Sequence, residues 1–182
     1  MAILLDKNGI NDALNTIINS ITAEFQLFEN PVIIGIKRRG VFIAERIKKS
    51  MEEISGKEIP YGTLDISLYR DDQTEISDFP LLNGTDINFS LRGKNVILVD
   101  DILNSGRTAL AALKGIMDIG RPENIKLTTL LFNSNGREFP IIPDYYGKLI
   151  SLIPDEIAII KLMEYDNIDE IDIIKRRLNS NE

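Results

Sequence analysis

The chain has 182 residues, about the length of one ordinary domain, and 43% of them are hydrophobic, which indicates one soluble globular domain. Its 21 Lys and Arg against 28 Asp and Glu give a formal net charge of −7, which disfavours passive adhesion to nucleic acid or to an anionic membrane. Histidine and cysteine are both absent, so disulfides, zinc sites, thiol nucleophiles and His-containing catalytic triads are excluded, and any metal ion must be bound by oxygen.

The N-terminal part of the chain is predicted to form helix, strand, loop, helix and strand in that order. Apolar residues at helical spacing predict an amphipathic helix over residues 10–28. The β-branched run at 32–36 predicts a buried strand, and a glycine loop at 35–40 leads into a helix over 41–51. Residues 61–69 alternate between apolar and polar, which predicts a strand with one exposed face.

The central part repeats this unit after a long loop. Residues 70–92 hold few periodic apolar positions and several turn formers, which is typical of a functional flap or of disorder. A short buried strand is predicted at 96–99 and a helix at 109–119. Further buried strands are predicted at 125–132 and 157–163, joined by an irregular segment.

Strands that alternate with helices predict an α/β fold with a mainly parallel, twisted sheet flanked by helices. The acidic tail ends in an apolar stripe at 171–178, which predicts a short terminal helix. We expect residues 1–182 to form a single domain. The apolar run at the N-terminus is too short for a signal peptide and no run approaches the ~20 apolar residues of a membrane span, so we expect a cytoplasmic protein with no membrane partner.

The segment after the strand at 96–99 carries the most specific chemistry. Asp100 and Asp101 are followed by a small, hydroxyl-rich turn that opens the next helix; the turn is formed by Asn104, Ser105, Gly106, Arg107 and Thr108. Backbone N–H groups, hydroxyls and a helix N-terminus together form an anion cradle that suits a monophosphate. The two carboxylates can accept hydrogen bonds from vicinal ribose hydroxyls and can hold Mg²⁺. The segment therefore predicts a ribose 5-phosphate site.

These residues resemble the PRPP-binding signature of the type I phosphoribosyltransferases. Over most of its length the chain resembles one branch of them, the PyrR family of bifunctional pyrimidine-operon attenuators and uracil phosphoribosyltransferases. The further matching segments, in colinear order, are 35–40, 64–72, 118–122, 137–140 and 144–148. The resemblance implies the type I phosphoribosyltransferase fold, with a flexible loop over about 70–92 and a small hood over about 133–156 that covers the C-terminal ends of the strands.

The resemblance also implies roles for individual residues. Catalysis is expected from Arg70, Asp71, Asp100 and Asp101. The loop expected to bind pyrophosphate contains Lys37, Arg38, Arg39 and Gly40, and a short loop with backbone N–H groups and cations at a sheet edge suits that ligand. The base is expected to contact Asn133, Ser134 and Ile157 in the hood. The expected ligands of Mg²⁺ are Asp100, Asp101 and Glu164. Closure of residues 70–80 would exclude water from PRPP.

The acceptor base is where the chain departs from the family. The uracil branch carries Asp-Arg-Gly-His where residues 133–136 read Asn-Ser-Asn-Gly. Purine transferases of the hypoxanthine-guanine type carry Asp where Asn104 stands, Lys where Asn133 stands and an aromatic residue near Ile157. Uracil is therefore the favoured acceptor, and the alternatives are a purine transferase and a sensor that binds PRPP or nucleotide without turnover.

The expected partners are PRPP and a nucleobase or nucleoside monophosphate, with a homodimer or larger homo-oligomer implied by the resemblance. RNA binding by the attenuator family uses basic residues, several of them on the first helix. Residues 8–36 contain no Lys or Arg, so the phosphate-neutralising part of RNA affinity is missing there and RNA binding is doubtful.

Overall fold

The computed structural model of the chain describes residues 2–25, 30–69 and 84–175. The helices in these ranges are α1 (Lys7–Phe25), α2 (Arg39–Ser55), α3 (Arg107–Ile119) and the short α4 (Met163–Asp166). The strands are β1 (Ala2–Leu5), β2 (Pro31–Ile36), β3 (Tyr61–Leu64), β4 (Asn95–Leu103), β5 (Asn124–Asn133), β6 (Tyr145–Ile150), β7 (Glu156–Lys161) and β8 (Glu170–Lys175). None of these helices is long and apolar enough to cross a membrane.

The main sheet has five parallel strands in the order β3-β2-β4-β5-β6. Ile33 and Ile97 point to one face, where they join the cluster packed under α1 and α2. Ile34 and Leu98 point to the other face and pack with α3. Because both faces are covered, the strands are apolar throughout, which is the signal that predicted them. The predicted α/β architecture with a parallel sheet flanked by helices is confirmed.

A second, antiparallel sheet of three strands, in the order β1-β8-β7, joins the two ends of the described chain. The helix predicted over 171–178 is wrong for its described part, because residues up to 175 form β8 and the rest lies outside the described residues. Ile171 and Ile173 pack with the core cluster that includes α1, and between them Asp172 is buried in an ion pair with Lys161 on the neighbouring strand. Alternate side chains therefore face the core, which is the period of two of a strand.

Two further segments differ from their predictions. The strand predicted over 61–69 ends at Leu64 and is followed by a 3₁₀ turn at Ser67–Tyr69. Within the predicted flexible loop, residues 84–92 pack against the domain: Asp86 exchanges backbone hydrogen bonds with Thr63, and Leu91 is buried. Residues 70–83 lie outside the described ranges.

Candidate active site

The C-terminal ends of the parallel strands meet at one edge of the main sheet, where a cavity of about 650 Å³ opens. Its lining comes from the connection between β2 and α2, from the loop after β3, from the end of β4 and from the turn that follows β4. The predicted site residues that line it are Lys37, Arg38, Arg39, Asp100, Asp101, Asn104, Ser105, Gly106 and Thr108. Residues as far apart in the chain as Lys37 and Thr108, a separation of 71 positions, are therefore brought together, as the parallel topology requires.

Asp100 and Asp101 lie within β4 and not after it, since the strand continues to Leu103. Asp100 is buried, and its Oδ1 accepts the backbone N–H of Asp101 at 2.9 Å. Oδ1 of Asp101 accepts the backbone N–H of Ile102 at 2.7 Å. These local bonds orient both carboxylates toward the cavity. Burial raises the pKa of the Asp101 carboxyl above its usual range, because a low-dielectric environment disfavours the charged form.

The turn after β4 packs against residues 138–141 and is hydrogen-bonded to them. Gly106 has φ of 90°, and a Cβ there would lie 3.3 Å from Phe139 Cβ, so glycine suits both its backbone and its surroundings. The Ser105 carbonyl accepts the backbone N–H groups of Glu138 and Phe139 at 3.0 and 3.2 Å. Arg107 begins α3, but its Nε donates to Glu138 at 2.9 Å and its side chain does not line the cavity. The structure therefore does not bring the Arg107 side chain together with the other predicted residues of the turn.

The loop after β2 presents three cations to the same cavity. Its Lys37–Arg38 peptide bond is cis. Gly40, in the first turn of α2, lies against β4 so closely that a Cβ would be 2.5 Å from the Val99 carbonyl oxygen. The sequence assigned Gly40 to pyrophosphate binding, and the structure adds a packing reason for glycine at this position.

Arg39 is held in place by the segment around α4. Its guanidinium donates to Asp166 at 3.0 and 3.3 Å and lies 5.4 Å from the ring centre of Tyr165. Nη1 of Arg38 is 3.4 Å from the Tyr165 hydroxyl. Burial acts to raise the pKa of the Asp166 carboxyl, but the bonds from Arg39 and from the backbone N–H of Leu162 outweigh it, so this pKa lies below its usual range. The two loop cations are thus tied to the C-terminal part of the chain.

Glu164, the predicted third metal ligand, lies away from the cavity lining. Its carboxylate accepts two bonds from Arg46 on α2, at 2.8 and 2.7 Å, and the same guanidinium donates to Asp169 at 2.7 Å. The Arg46 hydrogen bond lowers the pKa of Glu164. Within residues 2–25, 30–69 and 84–175, no three acidic, His or Cys side chains converge on a point where they would hold a metal ion.

A second cavity, of about 620 Å³, adjoins the first and holds part of the predicted base hood. Asn133, at the end of β5, and Ile157, on β7, line it. Ser134 does not, because its backbone N–H and its hydroxyl both donate to the Ile150 carbonyl, at 3.0 and 3.2 Å. Asn104 and Ser105 line both cavities and therefore mark their junction.

Sequence reasoning missed two groups that line these cavities. Asp65 and Ser67 line the first, and the Ser67 hydroxyl donates to Asp65 at 2.6 Å. Both belong to the matching segment 64–72, and that was the available signal. Glu138 lines the second cavity and was recognised only as part of a matching segment. The predicted catalytic residues Arg70 and Asp71 lie outside the described residues.

Comparisons with known proteins agree with this architecture. The phosphoribosyl transferase domain family matches residues 2–167. The chain is 45% identical over 172 residues to "Bifunctional protein PyrR" of Clostridium perfringens, which covers 94% of this chain and 96% of that protein. It is 42% identical over 173 residues to the protein of the same name from Halalkalibacterium halodurans, with 94% and 96% covered.

Solved structures share the fold. Hypoxanthine phosphoribosyltransferase of Trypanosoma cruzi superposes with a TM-score of 0.72 at 18% identity, which covers 97% of this chain and 98% of that one. The corresponding enzyme of Staphylococcus aureus gives a TM-score of 0.71 at 21% identity, with 98% and 94% covered. At these identities the likeness is one of fold.

Proposed function

This chain belongs to the phosphoribosyl transferase family, with PyrR proteins among its relatives, and we propose that it transfers the 5-phosphoribosyl group of PRPP to uracil, giving UMP and pyrophosphate. The observation that carries the proposal is the first cavity, where an acid pair, a helix N-terminus and three cations line one space. These groups match the three parts of PRPP, which are a ribose diol, a 5-phosphate and a pyrophosphate.

Each part of PRPP has a proposed partner in the cavity. Asp100 and Asp101 accept hydrogen bonds from the two ribose hydroxyls. The backbone N–H groups of residues 105–108 and the positive end of the α3 dipole bind the 5-phosphate. The cations of residues 37–39 neutralise the pyrophosphate, and Asp166 positions one of them, Arg39.

The proposed reaction breaks the bond between ribose C1′ and the pyrophosphate oxygen and forms a bond between C1′ and N1 of uracil. Bond breaking leads, through an oxocarbenium-like ribose. The electron pair of the broken bond leaves with pyrophosphate, and the N1 proton passes to the pyrophosphate or to water. The protein contributes by positioning the two substrates and by stabilising the charge that develops on the leaving group.

Mg²⁺ is the cofactor we propose, and the donor set fits it. Asp100 and Asp101 supply adjacent carboxylates, and Mg²⁺ in phosphate sites is commonly held by one or two carboxylates together with phosphate oxygens of the substrate. When bound, the ion supplies positive charge beside the pyrophosphate. Because Arg46 engages Glu164, Asp100 and Asp101 are the ligands that we propose from this chain.

The second cavity is the proposed base site. It adjoins the ribose site through Asn104 and is lined by apolar groups such as Ile157, by neutral amides and by the carboxylates of Glu138 and Glu156. A small neutral ring with carbonyl and N–H edges suits such a lining. The relatives named PyrR support a pyrimidine acceptor.

The word "bifunctional" in the relatives' name implies a second, regulatory activity. For this chain we predict that RNA binding, one form of such regulation, is weak. The relatives weigh in favour of RNA binding. The composition of α1 weighs against it, since Lys7 is the only cation between residues 7 and 36. An electrophoretic shift with the leader RNA of the protein's own operon tests it, and a shift at nanomolar protein would contradict our expectation of weak binding.

The experiment that tests the catalytic proposal offers PRPP and Mg²⁺ with a panel of bases and reads the products by chromatography. The panel is uracil, orotate, hypoxanthine, guanine and adenine. We expect UMP and pyrophosphate from uracil. A purine nucleotide in place of UMP would contradict the acceptor, and PRPP binding without any nucleotide would identify a sensor.

The double variant Asp100→Asn, Asp101→Asn tests the site assignment. It is nearly isosteric, so its thermal unfolding should remain cooperative while its use of PRPP is abolished. Full activity in this folded variant would contradict the site assignment.

A further inference from the structure

Positions 104, 133 and 136, where the chain departs from the patterns of its relatives, meet in space. Asn133, the last residue of β5, is only 3% exposed. Its Oδ1 accepts the backbone N–H of Leu152 at 3.1 Å and that of Asn135 at 3.3 Å. Its Nδ2 donates to Oδ1 of Asn104 at 2.7 Å.

These hydrogen bonds fix which end of each amide donates and which accepts. A carboxamide oxygen only accepts hydrogen bonds and its nitrogen only donates them. The two backbone N–H groups therefore decide which end of the Asn133 amide is oxygen, and the Asn133 nitrogen decides which end of the Asn104 amide is oxygen. Nδ2 of Asn104 is the end that remains, and it donates to none of the described residues.

Glycine at position 136 makes this arrangement possible. A Cβ at Gly136 would overlap Oδ1 of Asn104 and would lie 2.8 Å from Nδ2 of Asn133. Any larger residue at position 136 would push the two amides apart. The residues at positions 104, 133 and 136 therefore contact one another and form one structural unit.

From the proposed function and this geometry we infer that Nδ2 of Asn104 is a specificity-determining donor to the carbonyl oxygen next to the attacking nitrogen of the base. Asn104 lines both the ribose cavity and the base cavity, so its amide lies beside the atom that joins ribose to base. On uracil that atom is N1, which is flanked by a C–H group and by the C2 carbonyl. O2 is the flanking atom that accepts a hydrogen bond, and Asn133 is the positioning residue that keeps the donor turned toward it.

The test replaces O2 by sulfur, a weaker hydrogen-bond acceptor, and compares kcat/KM for uracil with kcat/KM for 2-thiouracil. We expect the wild-type protein to prefer uracil about 5- to 10-fold, the range of one neutral hydrogen bond. Asn104→Asp keeps the acceptor for Asn133 but removes the donor, so its preference should fall to about 1-fold. With 4-thiouracil, whose sulfur lies across the ring, the same substitution should leave the preference unchanged.

The matched control is Asn124→Asp. Asn124 donates to Asn95 at 2.8 Å, so this second amide pair joins the same strands, β4 and β5, at the opposite edge of the sheet. The control variant should keep the wild-type ratio for both analogues. An unchanged uracil to 2-thiouracil ratio in Asn104→Asp, or an equal change in Asn124→Asp, would overturn the inference.

Product binding separates this inference from the proposed function. Calorimetry with UMP and 2-thio-UMP requires no turnover, and wild type should bind UMP more tightly while Asn104→Asp binds the two alike. Absence of nucleotide formation by wild type from every base contradicts the proposed transferase. Equal affinity of wild type for the two nucleotides contradicts the role of Asn104.

Discussion

Asp101→Asn should make the protein more stable and unable to use PRPP. The substitution keeps the side chain's shape, and the new Oδ1 can still accept the backbone N–H of Ile102 that Oδ1 of Asp101 accepts at 2.7 Å. It leaves no cavity and breaks no ion pair in the described residues. What it removes is a negative charge beside the buried Asp100.

The sign of the stability change follows from the pKa. Burial raises the pKa of Asp101 on folding, so the folded protein holds this proton more tightly than the unfolded chain does. Above the raised folded-state pKa the carboxyl is charged in both states, and the folded state carries the cost of burying that charge. We expect the amide to stabilise the protein by about 1 kcal/mol, within the range found when a functional site is relieved of an unfavourable group.

The assay is thermal unfolding with and without PRPP and Mg²⁺ over a range of pH. For a chain of this size about 1 kcal/mol raises Tm by about 2–4 °C. That advantage should be full above the raised folded-state pKa of Asp101 and should shrink as the pH falls through it. PRPP at 100 times its Kd should stabilise the wild type by about 2.7 kcal/mol and leave the variant unchanged.

Two results would refute this reasoning. A variant that melts below the wild type at pH 7 would mean that the charge of Asp101 stabilises the fold. A variant with an undiminished PRPP shift would mean that the carboxylate does not bind the ribose.

Further predictions concern the supports of the site. Arg46→Met removes three charge-assisted hydrogen bonds of 2.7 to 2.8 Å, so it should lower the free energy of unfolding by about 2 kcal/mol and Tm by about 4–8 °C. The control Lys48→Met breaks an i,i+4 ion pair on the same helix and should shift Tm by less than about 2 °C. Asp166→Asn should raise KM for PRPP about 2- to 10-fold with kcat little changed, because Arg39 is held less firmly; an unchanged KM in initial-rate assays would argue against its positioning role. Gly40→Ala must move α2 away from β4 and should lower Tm by about 4–8 °C. An unchanged Tm would show that α2 can shift away from β4 without loss of stability.

Local sequence was sufficient for the central strands of the main sheet and for predicting the turn that follows β4. The apolar runs of β2, β4 and β5 predict buried strands wherever the rest of the chain lies, because strands covered on both faces need apolar side chains throughout. The acid pair and the turn at 104–108 belong to one strand–helix connection. Residues so close in the chain stay close in any fold of that unit, so a ribose 5-phosphate site could be predicted from their types and spacing.

The sequence by itself was ambiguous where the partner lies far along the chain. The apolar positions of residues 171–174 suit a helix or a strand, and pairing with β1 and β7 decided for the strand, since a strand's backbone hydrogen bonds are made only with a neighbour. The sequence predicts Glu164 as a ligand of Mg²⁺, whereas in the fold its carboxylate pairs with Arg46.

The amide pair Asn104 and Asn133 shows most clearly what the sequence determines and what the tertiary structure decides. Asn104 and Asn133 stand 29 positions apart, and the sequence shows each as a neutral amide where relatives carry a charged residue. The type of each residue was determined by the sequence. The direction in which its amide points was decided only by the tertiary structure, because that direction depends on the backbone N–H groups that β5 and the segment at residue 152 bring to it.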